Sequence, residues 1–325
     1  MMSFTPTPDS GATHIMANSE KHNGAPVVIE AAVTPLRKGA PLQPADVTIA
    51  EAKACLAAGA AVIHHHHDFR LSREEATQQI VDIGRGILDA YPSALIYPDY
   101  IAGRDSDRAI GRRYQPDALL QPMYDAGVLR MFALDPGFTL FGQMDAEGLP
   151  SASVTGGATY AESDAMVAFG RKVGVPISIG VYEPGNLRWI RAYARAGKFP
   201  AGSIIKLYFG GDYLMGQDRV PGVTFGLAPT PESLDTYLGM LADVDMPWCV
   251  SVQGGALLDL PLARYALELG GHLRVGVEDT AGCTTLTNAQ TVEAAVELAR
   301  QVGRPIARGA EALDVLKRPH AALAA

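Results

Sequence analysis

Cysteine is scarce in this chain. Three occur in 325 residues, Cys55, Cys249 and Cys283, far apart and in no CxxC pair. That excludes a disulfide framework and a cysteine-built zinc site, and it fits a reducing, cytoplasmic compartment. Positive charge is also short. Twenty-seven Lys and Arg face 35 Asp and Glu, a net charge of −8, where a nucleic-acid partner would call for a basic patch. No apolar run approaches the roughly 18 residues of a membrane span. The first 25 residues are polar, lack the apolar centre of a secretory signal and read as a flexible N-terminal arm. A glycine-rich phosphate loop is missing as well. After the first strand-like run, Thr34-Pro35-Leu36-Arg37-Lys38-Gly39 has neither a P-loop nor a dinucleotide fingerprint.

What is present is a regular alternation. With 48% hydrophobic residues the chain can build a full core. From residue 27 onward, eight strand-like runs are expected: 27–34, 61–66, 94–99, 129–134, 176–182, 203–209, 248–252 and 273–277. Helical patterns lie between them. Thr48-Ile49-Ala50-Glu51 and Ser72-Arg73-Glu74-Glu75 have the spacing of capping boxes, and Thr230-Pro231 reads as an N-cap followed by a first-turn proline. One helix is expected near 116–126. Eight strands alternating with helices over about 300 residues predict a single-domain (β/α)₈ TIM barrel of the α/β class, spanning residues 26–325.

The sequence's most informative run is His64-His65-His66-His67, which closes the second strand. Side chains alternate along a strand, so His64 and His66 share one face and His65 and His67 the other. Two imidazoles about 6–7 Å apart along a face can grip one metal ion, and imidazole suits zinc. Apolarity alone does not say which face looks inward. The eighth strand ends in adjacent carboxylates, Glu278 and Asp279. Two His and one Glu with an open fourth position is a catalytic zinc arrangement. Active sites of such barrels gather at the C-terminal ends of the strands. Glu30, Thr34, Asp99, Asp135, Glu183 and Gln253 fall at other strand ends and enlarge the candidate rim. Arg274, four residues before Glu278, shares its face. Inside a barrel it needs a partner, either Asp279 or a bound carboxylate.

Two motifs carry a resemblance: Gly59-Ala-Ala-Val-Ile-His64-x-His66 and Gly270-Gly271-His272-x-Arg274-Val-Gly-x-Glu278-Asp279. With Thr287-Asn-Ala-Gln and Gly303-Arg-Pro-Ile near the end, the chain resembles the β-keto acid cleavage enzymes, whose founding activity is 3-keto-5-aminohexanoate cleavage. The resemblance implies a TIM barrel with one Zn²⁺ per chain, bound by His64, His66 and Glu278. It implies Asp279 as the base and Arg274 as its assistant. It also implies a β-keto acid and acetyl-CoA as substrates, acetoacetate and a new acyl-CoA as products, and a homo-oligomer, a tetramer.

The departures bear on substrate choice. His67-Asp68-Phe69-Arg70 follows the metal pair, where relatives continue with a small residue, Arg and Asp. Arg37 stands near the place where amine-binding relatives carry an acid. Asp99 and Asp135 lie in the regions of small hydroxyl residues. Arg37, Asp99, Asp135 and Glu183 are therefore the expected substrate-binding set. The alternative function is a zinc-dependent aldolase-type lyase or hydrolase without CoA. A metal-storing barrel is a third reading, which His65 and His67 favour and the paired base and arginine oppose.

Overall fold

A computed structural model describes residues 24–36, 42–100, 103–222 and 225–318. Its centre is a barrel of eight parallel strands: β1 (Ile29–Ala32), β2 (Val62–His65), β3 (Leu95–Pro98), β4 (Phe132–Leu134), β7 (Ile177–Val181), β8 (Ile204–Gly210), β9 (Trp248–Gln253) and β10 (His272–Val275). The hydrogen-bonded order is β3-β2-β1-β10-β9-β8-β7-β4. Strands β3 and β4 flank the remaining seam, which no ladder bridges among the described residues. The barrel predicted from the alternation is the barrel observed.

Alternation along each strand produces two apolar bodies. Ile29, Ala31, Val33, Ile63, Ile96, Ile179, Leu207, Val250 and Leu273 join the helices in one buried cluster. Val28, Val62, Leu95, Met131, Ile204 and Cys249, each one residue out of phase, form a second cluster. The second fills the N-terminal end of the barrel interior. The inward positions nearer the C-terminal ends are polar instead: Glu30, His64, Ser178, Lys206, Ser251 and Arg274, all buried. Apolar residues at one end and ionisable ones at the other place the chemistry before any loop is considered.

Helices join the strands: α1 (Ala45–Ala58), α2 (Arg73–Leu88), α3 (Pro116–Leu119), α4 (Gln121–Asp125), α5 (Tyr160–Val173), α6 (Leu187–Arg195), α7 (Pro231–Met240), α8 (Pro261–Glu268), α9 (Asn288–Gln301) and α10 (Ala310–Lys317). The capping box at Ser72 forms, with Ser72 accepting from the Glu75 N–H and Glu75 from the Ser72 N–H. Thr230 caps α7 as expected. The box at Thr48 does not form. Helix α1 starts three residues earlier, at Ala45, and Thr48 lies inside it with its hydroxyl turned back to the Pro44 carbonyl at 3.3 Å. The single helix expected near 116–126 is two short ones. Pro122, in the first turn of α4, has no N–H to extend the preceding helix.

One element was absent from the expected order. After β4 the chain forms an antiparallel hairpin, β5 (Gly137–Met144) with β6 (Pro150–Ala158). Ser151, Ser153 and Thr155 do alternate with Ala152 and Val154, but the segment is short of large apolar residues, and Phe138, Leu140 and Val154 are exposed rather than packed in the core.

The N-terminal end of the barrel is sealed by α10, whose Ala312, Val315 and Leu316 pack on the second cluster. Beside it Arg304 is almost fully buried. Its guanidinium donates to the carbonyls of Ala25 (2.9 Å), Leu267 (2.8 Å) and Gly271 (2.8 Å), and more weakly to Pro26 and Gly270 (both 3.3 Å). It ties the entry to β1 to the entry to β10. Burial of carbonyls without donors is costly. Arg304→Met should lower unfolding stability by about 3 kcal/mol without altering metal content. Urea unfolding and metal analysis of the same sample check this, and unchanged stability would refute the role.

Candidate metal centre and the buried ion network

The phase of β2 decides which histidines meet. The backbone N–H of Val33 donates to the His64 carbonyl (3.0 Å), and that of His66 to the Thr34 hydroxyl (3.0 Å). This continues the β1–β2 alignment past the formal strand end and turns His64 and His66 inward. Their Nε2 atoms stand 3.1 Å apart. Glu278 Oε1, from the segment after β10, lies 3.4 Å from the first and 3.3 Å from the second. Three donors bound tetrahedrally to one ion at ~2.1 Å would stand roughly 3.4 Å apart, so the triangle has the size of a metal site. His64, His66 and Glu278 are the metal-compatible group found among the described residues.

The chemistry of the donors points the same way. Burial pushes His64 down to about 4 against the pull of Glu278, so its ring is neutral. His66 is held above its ordinary value, because Glu278 and then Asp99 outweigh burial. Glu278 is held well below the carboxylate range, since the imidazoles of His64 and His66 and the Arg274 guanidinium overcome burial. Two ring nitrogens and a carboxylate oxygen aimed at one point, all buried, fit a divalent cation. Glu278 Oε2 and the Nδ1 atoms of His64 and His66 have no hydrogen-bond partner among the described residues.

The other two histidines take the opposite side. His65 and His67 are buried, and burial pushes each down to about 3, so both are neutral. His67 Nε2 accepts from the Gly103 N–H at 3.0 Å, while His65 Nδ1 has no partner among the described residues. A run of four histidines is thus one converging pair interleaved with two residues packed in the layer behind the strand.

Below the triangle sits Arg274, 1% exposed. Its Nε donates to Asp279 Oδ2 (2.8 Å), Nη1 to Glu30 Oε1 (2.7 Å), and Nη2 to Glu278 Oε1 (2.6 Å) and Asp279 Oδ1 (3.1 Å). Ser251 adds a hydroxyl donor to Asp279 Oδ2 at 2.9 Å. The pairing open in the sequence, Asp279 or a bound carboxylate, is resolved: one guanidinium holds three carboxylates. Glu30, the rim acid of β1, reaches inward to it and does not face a ligand alone.

A second cation was not anticipated. Lys206 stands in the middle of the apolar run of β8, buried, with Nζ 3.3 Å from Glu30 Oε1 and 2.6 Å from Tyr97 Oη. Tyr97 donates to Glu30 at 2.5 Å, and Ser178 donates to Tyr97 at 3.2 Å. A lysine inside Ile204-Ile205-Lys206-Leu207-Tyr208-Phe209 was the available signal, because an unpaired ammonium cannot occupy such a position. Burial opposes ionisation of Glu30, but Lys206 and Arg274 outweigh it and hold its carboxyl down to about 2.

The remaining rim acids divide. Asp99 Oδ2 lies 3.7 Å from His66 Nδ1 and burial raises its carboxyl. Asp135 is pushed up to about 6 by burial, with Lys206 opposing and Asp99 assisting. Glu183 accepts from the Thr139 hydroxyl (2.8 Å) and the Gly226 N–H (3.4 Å), which ties hairpin β5–β6 to the loop after β8. The Gln253 amide lies 3.5 Å from the Tyr182 hydroxyl. Arg37 lies outside the described residues, as do residues 1–23 of the expected N-terminal arm.

The profile of the beta-keto acid cleavage enzymes matches residues 26–317. The 3-keto-5-aminohexanoate cleavage enzyme of Acetoanaerobium sticklandii (strain ATCC 12662) is 28% identical over 280 residues, 82% of this chain and 88% of that protein. A shorter stretch of 64 residues, 18% of this chain and 22% of the relative, is 41% identical to the 3-oxoadipate:acetyl-CoA acetyltransferase of Cupriavidus necator (strain ATCC 17699). Among solved structures, ObcA in complex with oxaloacetate shares the fold with a TM-score of 0.57 and 15% identity over 84% of this chain. The chain spans 66% of the length of that ObcA chain. ObcA has also been solved with a C4-CoA adduct and oxalate.

Two outcomes follow from the geometry. The protein should bind one divalent ion per chain, and Glu278→Ala or His66→Ala should abolish stoichiometric binding in metal analysis. A variant lacking both His65 and His67 should keep it, and loss of metal there would relocate the site. Lys206→Met should retain the metal yet lower stability by about 3–5 kcal/mol, the usual cost of removing one partner of a buried ion network. Denaturant titration of the metal-loaded protein measures it.

Proposed function

We propose, from the premise that this chain belongs to the β-keto acid cleavage enzyme family, that it is a zinc enzyme condensing a β-keto acid with acetyl-CoA to give acetoacetate and a new acyl-CoA. The observation that carries the reading is the convergence of His64, His66 and Glu278 beside an Asp279 held by Arg274. A zinc ion bound by that triad supplies Lewis-acid polarisation of the substrate's keto and carboxylate oxygens. The remaining work falls to the chain's own side chains.

Asp279 takes the proton from the carbon between the keto and carboxylate groups. General bases must be positioned before they act, and three donated hydrogen bonds, two from Arg274 and one from Ser251, fix its carboxylate. The carbanion so formed attacks the acetyl carbonyl and the thiolate of CoA departs. The thiolate then adds to the original keto carbon, and the bond between that carbon and the former nucleophile breaks. The acetyl group ends on the two-carbon acid fragment as acetoacetate, and the remaining acyl group on sulfur. Asp279 returns its proton to the acetoacetate carbanion, so no net acid or base is consumed.

Buried charges support a substrate anion. Glu30, Glu278 and Asp279 are matched by Lys206 and Arg274, which leaves one net negative charge before a divalent ion and one net positive charge after it. A bound divalent ion thus turns this ion network from net negative to net positive, which favours an anionic substrate in a low-dielectric interior. Asp99 and Asp135 at the rim, and Arg37 by its place after β1, are the residues we assign to choice of the acyl group.

Incubation with a panel of β-keto acids and acetyl-CoA, read as acetoacetate, tests the activity. Asp279→Asn should keep its metal and lose at least about 10²-fold in turnover, the low end of general-base contributions. Arg274→Met should lose activity and stability together, because it strands three carboxylates. An Asp279→Asn protein with full metal and full activity would exclude Asp279 as the base, whereas wild-type turnover of a β-keto acid that does not depend on acetyl-CoA would favour a CoA-independent lyase or hydrolase.

A further inference from the structure

Beside the metal centre lies a cavity of about 330 Å³. It is bounded by the loops after β1, β8 and β10, by Glu51 of α1 and by the first turn of α9. Glu278 forms part of its wall, so the cavity adjoins the ligand triangle. We propose that this cavity receives the pantetheine arm of the acyl-CoA substrate. The proposal rests on the CoA-dependent reaction above and assigns that reaction's second substrate an entrance of its own.

The wall has the chemistry of an amide-bearing, uncharged chain. Gln43, Gln217, Thr280 and Thr284 offer neutral hydrogen-bonding groups, and Leu36 and Leu286 offer apolar surface. The charged groups in the wall are carboxylates, Glu51, Asp218 and Glu278. Carboxylates repel phosphate, so the nucleotide end of CoA is kept out and only the neutral arm fits. The volume is within the range of small-molecule sites.

The phosphates need a cation at the mouth, and the backbone there is built to present one. Among the described residues, two other than glycine have positive φ, Arg219 (52°) and Ala281 (47°). They are bonded to each other: the Arg219 N–H donates to the Ala281 carbonyl at 2.9 Å. Arg219 Nε donates to the adjacent Gly282 carbonyl at 3.2 Å. Each left-handed non-glycine residue carries a conformational cost, and such residues cluster where function constrains the chain. Here the paired strain pins the loop after β8 onto the loop after β10. It sets an exposed guanidinium next to Asp218 and Gly282, both cavity residues.

Two variants and two acyl donors test this. Leu286 is 40% exposed at the cavity rim, so Leu286→Trp should fold and obstruct the opening. It should raise KM for acetyl-CoA and for acetyl-pantetheine roughly tenfold and leave KM for the β-keto acid within about twofold. Arg219→Gly removes the cation and suits the backbone. It should raise KM for acetyl-CoA only, because acetyl-pantetheine has no phosphates. CoA binding to the zinc-loaded protein, measured by calorimetry, gives a readout independent of turnover. It should weaken roughly tenfold in Leu286→Trp. Should the wild type bind CoA and Leu286→Trp weaken that binding, while no β-keto acid is cleaved, the proposed reaction falls and the cavity assignment stands. Should Leu286→Trp instead raise KM for the β-keto acid alone, or change neither KM nor CoA binding, the cavity assignment falls while the reaction stands. A wild type that binds no CoA overturns both.

Discussion

Arg274 is the constraint from which the site's arrangement follows. A fully buried guanidinium must have its donors satisfied, and here Glu30, Glu278 and Asp279 do so. Satisfying it forces β1, β10 and the segment after β10 into one relative position. It brings together three carboxylates that would otherwise repel one another in a low-dielectric interior. One of them is thereby aimed at the two histidines and another is held beside them. The arrangement stands only with all its parts, since removal of one member leaves a charge uncompensated.

Lys206 extends the same logic. Glu30 faces two cations, and Tyr97 links the lysine to Glu30 and Ser178. The network therefore reaches β3, β7 and β8 as well, so that strands on opposite sides of the barrel are joined through its centre. A TIM barrel interior is normally filled by branched apolar side chains. This one keeps that filling at its N-terminal end, with Val28, Val62, Leu95 and Ile204, and replaces it by ion pairs at the catalytic end. The boundary between the layers is one strand residue pair deep, as in Val28 to Glu30 or Ile204 to Lys206. The apolar packing at the bottom and the electrostatics at the top come from the same alternation.

The loops add what the strands cannot. Hairpin β5–β6 and the loop after β8 are held together through Glu183. The loops after β8 and β10 are held through Arg219 and Ala281. Both devices spend a charged side chain or backbone strain on loop position rather than on chemistry. They shape the approach to a centre that the strands have already assembled.

Strand and helix order was legible in the sequence because it is local physics. Apolar runs of five to eight residues between helical patterns read as strands, and the caps at Ser72 and Thr230 mark helix starts through bonds within four residues. Thr48 misled because an identical pattern can sit inside a helix that Pro44 has already begun. The pairing of His64 with His66 was legible as well, since the period of two is a property of any strand. Which pair of histidines looks inward could not be read from the strand's own pattern, because both of its faces are buried; the motif resemblance named His64 and His66, and the geometry agrees. That choice is made by register: β1 against β2 and β1 against β10 decide that His64 shares an interior with Glu30 and Arg274. The meeting of Lys206 with Glu30, 176 residues apart, has no local trace. The sequence by itself determined an alternating α/β chain with a strand-end histidine pair and an acid pair. Only closure of the sheet decided that they converge, because distances between strand ends exist only once the barrel is formed.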